Sequence, residues 1–501
     1  MITKSFIFCF LIIYFILNTL FGIYLIVWND TISIIFFILL SIGNIEFAFS
    51  FTELIFTLML KKKDLPYLEI LNHYPEVALL YVTCNDYFYK SIESLSCQSY
   101  KNYDIFILDD SDEIKYQNDL DEFGFKIIRR GTRKGNKAGN LNNWLKIYGS
   151  KYKYFLVVDS DSLLPVSFLD NIIGYAEHPD NTQVALFQSK ISIWNLNNTF
   201  PKIMSTCIPI QILIWERILS STNMIPLGNN CLYRTESILK IGGFIEEFAA
   251  EDLATGIELI GNNYECKLVD VISYETIPES LKSYSKRSIR WSTQTIEILL
   301  KKEVKVPLLM KFYILSHAYK ALAWFNIMIL MILAVWSYSS TTSDLTYFIF
   351  LFTTLEVKDT QIFNAVIIIS LYWLYYLTNR IPLVIKSKIS IIQFYKYVLL
   401  NLAMEIYGLF PLLKAVIKVL SGIKVKFTVT DKRVINKGFL QIVGEMKFSL
   451  IFLCFLLLGL IRNPVSLLFN FTWLIPFLIS PVVLFFAQKN NFLKKETFYE
   501  K

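Results

Sequence analysis

Between Ser5 and Trp28 the chain runs for about 24 mostly apolar residues without a charge, and a bilayer-crossing helix needs about 20. This run and its counterparts further on constrain the fold more than any other feature. Inside lipid each backbone polar group must be satisfied within its own segment, so the runs have to be helices. Lys4 precedes the first run, as in a secretory signal, but the run is too long for a signal core and no small-residue cleavage site is evident. A second run, Ile32 to Leu60, carries Glu46 and Glu53, which must face protein or an interface. Lys61-Lys62-Lys63 ends it, so the positive-inside rule places this end in the cytoplasm and, two crossings back, the N-terminus as well.

Composition excludes several classes. The chain is 54% hydrophobic and 18% charged, where soluble chains carry about 25% charged residues. A disordered chain, a collagen-like fibre and a small disulfide scaffold are ruled out. The net charge of +7 is mild, and no nucleic-acid partner is expected. Seven scattered cysteines without a CxxC pair, and three distant histidines, argue against a zinc site or disulfide framework. They read as reduced, buried thiols.

From Leu65 to about Lys305 charges return and short apolar strands alternate with helical stretches. This is a soluble α/β domain of about 240 residues, one to two ordinary domain lengths. Beyond it, Phe312–Ser337, Ile362–Leu377, Lys447–Ile461 and Ser466–Phe486 read as crossings, while Thr346–Thr354 is too short. Ile389–Leu420 is apolar but carries Lys396, Glu405, Lys414 and Lys418, with basic residues at both ends. It reads as a helix lying along the cytoplasmic surface, the alternative being a crossing that would require one further crossing to keep the parity. The expected organisation is therefore 1–63 two transmembrane helices, 64–305 cytoplasmic domain, 306–388 transmembrane helices, 389–445 interfacial helix and loop, and 446–501 two more crossings and a tail.

Within the soluble domain three apolar strands end in acidic residues. Val77–Val82 runs into Thr83-Cys-Asn-Asp86; Tyr103–Leu108 runs into Asp109-Asp110; Tyr154–Val158 runs into Asp159-Ser-Asp161. Between the last two lie a short strand, Lys126–Ile128, and a basic glycine-containing loop that reaches Lys137, with a helix expected near Leu141. Ligands of open α/β sheets bind beyond the carboxyl ends of the strands, so these groups converge on one edge. Each Asp alone could cap a helix or make a turn. Their recurrence beside Lys137 points instead to Mg²⁺ or Mn²⁺ bridging to substrate phosphates. Glu251-Asp252 opens a later helix, as a dipole-satisfying start or a general base. Arg287 and Arg290 share a helix face, followed by Trp291, an interfacial anchor or a platform for a sugar ring.

Taken in order, Asp109-Asp110, Lys137-Ala-Gly-Asn140, Asp159-x-Asp161, Glu251-Asp252 and Arg287-x-x-Arg290-Trp291 resemble the membrane-integrated family 2 glycosyltransferases, the cellulose and hyaluronan synthase group. Phe427-Thr-Val-Thr430-Asp-Lys432 resembles the FxVTxK gating loop of bacterial cellulose synthases. Two positions depart from the pattern: Arg287 replaces the glutamine of QxxRW and Ala250 the threonine of TED. They leave acceptor and linkage open. No extension resembling a cyclic-di-GMP-binding domain follows, so control by that ligand is not implied.

The resemblance implies a GT-A domain, with a mostly parallel central sheet, inserted in an α-helical multi-pass membrane protein. It implies an inverting, processive transferase that builds a β-linked polysaccharide, a glucan, from UDP-glucose at the cytoplasmic face of the plasma membrane and passes it outward; the Ile-, Asn- and Lys-rich composition adds, by analogy, the expectation of a bacterial capsule-like product. Thr83, Asp86, Asp109, Asp110 and Lys137 would hold the uridine end. Asp159 and Asp161 would take the metal, and Arg287 and Arg290 the diphosphate. Asp252, beside Glu251, would act as base, Trp291 would meet the acceptor polymer, and Thr430 and Lys432 would close over UDP. The alternative is a non-processive transferase adding one sugar to a lipid carrier. A nucleotide-binding transporter is disfavoured because no GxxxxGK[ST] loop is present.

Overall fold

A computed structural model of the protein describes residues 2–25, 31–71, 73–224, 226–301, 305–336, 378–423, 436–462 and 467–489. Two long helices come first, α1 (Ile2–Leu25) and α2 (Thr31–Met59). Their apolar faces meet through Phe6, whose ring lies edge-on to Phe49 at 5.8 Å and to Phe56 at 5.1 Å. Asn44 donates to Asn18 across the pair at 3.0 Å. Glu53, 5% exposed, does face protein: Arg380 Nη1 lies 2.8 Å from it.

The α/β domain follows as β1 (Val77–Thr83), α3 (Tyr89–Ser96), β2 (Tyr103–Asp109), α4 (Ile114–Asp121), β3 (Lys126–Arg129), α5 (Asn136–Tyr148), β4 (Tyr154–Asp159), α6 (Phe168–Ala176), β5 (Val184–Ile193), α7 (Thr199–Met204), α8 (Ile208–Ile218), β6 (Cys231–Arg234), α9 (Thr235–Lys240), α10 (Glu251–Gly261) and β7 (Glu265–Glu275). The sheet order is β3-β2-β1-β4-β6-β5-β7. Only β6 runs antiparallel to its neighbours. This mostly parallel, mixed sheet is the GT-A-like arrangement.

Both faces of the sheet are covered, which is why its strands read as continuous apolar runs rather than alternating ones. In β1, Ala78 and Leu80 pack on one face with Trp144 and Phe155. Val77, Leu79 and Tyr81 pack on the other with Phe168 and Ile172. Register then levels the strand ends: Thr83 pairs with Asp109, Asp109 with Arg129, and Val82 with Asp159.

The domain leads into α11 (Leu281–Lys301) and α12 (Leu308–Trp336). Ile298, Met310 and Ile314 from these helices complete the α5 side of the core. Among the described residues, Ile2–Leu20, Phe37–Met59 and Ile391–Leu420 are long and apolar enough to cross a membrane, and Phe439–Glu445 with Lys447–Ile461 form a pair bent by 72°. The helix Ile391–Leu420 packs along α11, so tightly that a Cβ on Gly408 would stand 2.8 Å from Ser285 Oγ. The expected crossing at 362–377 lies outside the described residues.

All seven cysteines are free, but only Cys231 and Cys266 are buried; Cys97 and Cys454 are exposed. The expectation of buried thiols holds for that pair alone.

Candidate active site

The loops after β1 and β2 are zipped together. Asn85, at φ 54°, takes a left-handed turn and accepts from the amides of Asp112 and Glu113 at 3.1 Å. Its own amide donates to Ser111 Oγ at 2.8 Å. Thr83 Oγ1 donates to the Asp86 carbonyl, and Asp86 in turn accepts from Ser160 Oγ at 2.6 Å. Ser160 is the middle residue of Asp159-Ser160-Asp161, so the β1 and β4 ends form one unit.

Asp109 and Asp110 each meet an arginine from the end of β3 or just beyond it. Asp109, with no exposed side-chain surface, accepts from Arg129 Nε at 2.7 Å and from the Ser111 amide at 2.9 Å. Asp110 is gripped on both oxygens by Arg130, at 2.8 and 2.6 Å. The same guanidinium donates to the carbonyls of Lys134 and Asn136 at 2.6 and 2.5 Å. Arg130 thereby ties the Asp110 end of the pocket to the start of α5. That helix begins at Asn136, not near Leu141 as expected, because Gly135 at φ 73° reverses the chain there. Lys137 therefore sits in a helical first turn, not in a loop.

Lys137 is the centre of the constellation. Its ammonium donates to Asp159 Oδ1 at 2.7 Å and to the Gly228 carbonyl at 2.8 Å, and lies 4.0 Å from Glu251 Oε1. Burial opposes its charge, but the carboxylates of Asp159 and Glu251 outweigh this and raise its pKa. Glu251 and Asp252 open α10. Burial pushes the carboxyl groups of both upward, and the charge of Lys137 opposes it. Asp252 accepts from the Leu253 amide at 2.7 Å. Burial lowers the Arg290 pKa, and the charges of Glu251 and Asp252 oppose that.

A second acidic group faces this one. Thr276 Oγ1 donates to Asp161 Oδ2, and Trp194 Nε1 to the Asp161 carbonyl at 3.0 Å. Glu275, at the end of β7, accepts from Asn229 Nδ2 at 2.6 Å. Burial raises its carboxyl to about 7, with Arg287 opposing and Asp161 adding to the rise. Arg287 stacks over Trp291 at 4.8 Å from the ring centroid, and Trp291 is 55% exposed.

The structure thus gathers Lys137, Asp159, Glu251, Asp252 and Arg290 into one group, with Asp161, Glu275 and Arg287 alongside. Sequence reading missed Glu275, Arg130, Gly228 and Asn229. Arg130 lay within the basic loop, but nothing marked it off from its neighbours. Thr430 and Lys432 lie outside the described residues. Asp159 and Asp161 make a two-carboxylate set, and among the described residues no group of three or more His, Cys, Asp or Glu is arranged to hold an ion. Mg²⁺ is commonly held by one or two carboxylates plus substrate phosphates, so this donor set fits it.

Residues 154–377 match the family described as Glycosyl transferase family group 2. The chain carries a family 2 glycosyltransferase domain. The match takes in Asp159, Asp161, Glu251, Asp252, Glu275 and Arg290. A cellulose synthase catalytic protein of Dictyostelium discoideum is 25% identical over 177 residues, covering 32% of this chain and 16% of that one. A glucans biosynthesis glucosyltransferase H of Caulobacter vibrioides is 24% identical over 225 residues, covering 40% and 33%. Among solved structures, a mannosyltransferase of Pyrobaculum calidifontis in complex with GDP-Man and Mn²⁺ superposes with a TM-score of 0.45 at 15% identity, covering 66% of this chain and 94% of that one. The chain spans less than half the length of the curated relatives it matches. The family 2 domain is thus related to that of cellulose synthases.

Proposed function

We propose that this family 2 glycosyltransferase polymerises a β-linked glucan from UDP-glucose on the cytoplasmic side of the plasma membrane and passes the product across. The observation that carries this reading is the gathering of Asp159, Lys137, Glu251, Asp252 and Arg290 at one sheet edge, beside helices long enough to cross a bilayer. The relatives named for cellulose and glucan synthesis supply the sugar class.

Thr83, Asp86 and Asp110 line the uridine end. Asp159 and Asp161 would hold Mg²⁺ or Mn²⁺, which when bound would neutralise the charge of the diphosphate leaving group. A two-carboxylate site completed by donor phosphates binds metal poorly until the donor arrives. Arg287 and Arg290 face the diphosphate from α11. Asp252, made more basic by burial, accepts the acceptor hydroxyl proton. Attack from that side, opposite the leaving diphosphate, inverts the anomeric carbon. Trp291 offers its exposed ring to the acceptor sugar. The helix Ile391–Leu420, held along α11, lies at the membrane surface, and Thr430 and Lys432 further along the chain would contact bound UDP.

Purified protein incubated with individual UDP-sugars tests this. UDP release and a high-molecular-weight β-glucan are expected from UDP-glucose alone. Asp252→Asn should abolish polymer and leave UDP binding largely intact; wild-type incorporation by that variant overturns the base assignment. Full activity in EDTA overturns the metal site. Product that stops at one sugar on a lipid makes the enzyme non-processive.

A further inference from the structure

Away from the carboxylates, a cavity of about 470 Å³ opens between β5, α8 and the short helix Ile381–Lys386. That volume lies within the roughly 300–1,000 Å³ typical of small-ligand sites. Its wall is mainly apolar, with Ile191 from β5 and Ile208, Ile212 and Leu213 from α8. Lys190 also lines it but is ion-paired with Glu216 and, at 2.6 Å, with Asp270, so that side presents a compensated charge. Lys386, followed by Ser387, stands at the other side and makes no ion pair among the described residues.

The depth of the cavity relative to the apolar helices can be read from the chain. Arg217, on α8, donates to the carbonyl of Leu60 at 2.8 Å. Leu60 immediately follows α2, and Lys61-Lys62-Lys63 come next. The cavity therefore sits where an apolar span gives way to basic residues, at headgroup level. Beside it Ile385 is 62% exposed and Ile392 69% exposed, flanking Lys386 and Lys388. Apolar side chains alternating with lysines along an exposed edge are the signature of contact with an anionic lipid surface.

We propose that this cavity holds one anionic glycerophospholipid, with an acyl chain against Ile191, Ile212 and Leu213 and its phosphate at Lys386. The inference rests on the apolar helices lying in a bilayer and not on the transferase reading, so either can fail alone. The occupant is a bilayer lipid rather than a soluble anion because Ile191, Ile208, Ile212 and Leu213 form an apolar part of the wall that a free phosphate would leave in water.

Native mass spectrometry of the full chain in mild detergent tests it, with phosphatidylglycerol, phosphatidylcholine and a polyprenyl phosphate added separately. One phosphatidylglycerol should be retained about tenfold more strongly than phosphatidylcholine, and its addition should raise the melting temperature. Lys386→Glu, at an exposed position that leaves the fold intact, should abolish that preference. Leu213→Trp, which fills the cavity, should abolish retention of any lipid. Equal retention of the two phospholipids, unchanged retention in either variant, or stronger retention of the polyprenyl phosphate would overturn the proposal.

Discussion

Gly228 lies so close to Asp252 that a Cβ built on it would stand 2.2 Å from Oδ2 of the carboxylate. Its carbonyl also receives the Lys137 ammonium at 2.8 Å, so one residue sets the place of both the proposed base and the central cation. At φ +80° it occupies a backbone region that favours glycine. Gly228→Ala should therefore lower kcat by about 10²-fold, the scale of losing a well-placed acid–base group, and stability by about 1 kcal/mol. Steady-state UDP release and a thermal melt check the two effects separately.

Removal of the Lys137 charge should be felt by stability as well as by catalysis. Lys137→Met leaves Asp159 and Glu251 without the ammonium they share. Breaking a fully buried pair costs about 3–5 kcal/mol; here about 2 kcal/mol is expected, because Asp159 keeps 38% of its side chain exposed. Denaturant titration measures it. Saturating divalent metal and UDP should restore part of the loss, since the ion then takes over the role of the ammonium.

Stability and activity should respond to pH in opposite senses. Glu275 goes from an ordinary 4.5 to about 7 in the fold. Between those values the folded protein holds a proton that the unfolded chain has released. Stability thus falls as pH rises through that window. Asp252 must lose its proton to act as base, so kcat/KM should rise with pH through its raised pKa. Melting temperature against pH should fall less steeply between 4.5 and 7 in Glu275→Gln than in the wild type. An unchanged slope would contradict the burial of this carboxyl.

Arg130 grips Asp110 with two nitrogens and, with two further contacts, the carbonyls of Lys134 just before α5 and of Asn136 at its start. A lysine cannot reproduce that fork. Arg130→Lys should raise KM for the donor about tenfold while kcat changes less, because Asp110 and the start of α5 are displaced and Asp252 is not. Isothermal titration with UDP reports the same loss without turnover.

Much of this arrangement is legible from residue order. Strands buried on both faces announce themselves as short apolar runs, and Asp109, Asp159 and Glu251 stand where those runs or the following helix begin or end. Other parts are not legible, for physical reasons. The antiparallel course of β6 depends on pairing with β4 and β5, which Cys231–Arg234 do not encode locally. The start of α5 is hidden because Gly135 and Asn136 look like loop residues until their left-handed turn is seen to launch the helix. Glu275 lies alone between Tyr274 and Thr276, and the pairing of β7 with β5 together with the bridge from Leu163 to Tyr274 carries it towards Asp161 and Asn229.

The ion pair between Glu53 and Arg380 has a consequence for biosynthesis. Ser50, one helical turn away, is separated by 330 residues from the same arginine. At roughly 5–20 residues per second, a ribosome makes α2 on the order of tens of seconds before its counter-ion exists. Through that interval Glu53 lacks the guanidinium that pairs with it in the finished fold. That partner is supplied only once residue 380 has been made, well after α12 has come to lie against α2.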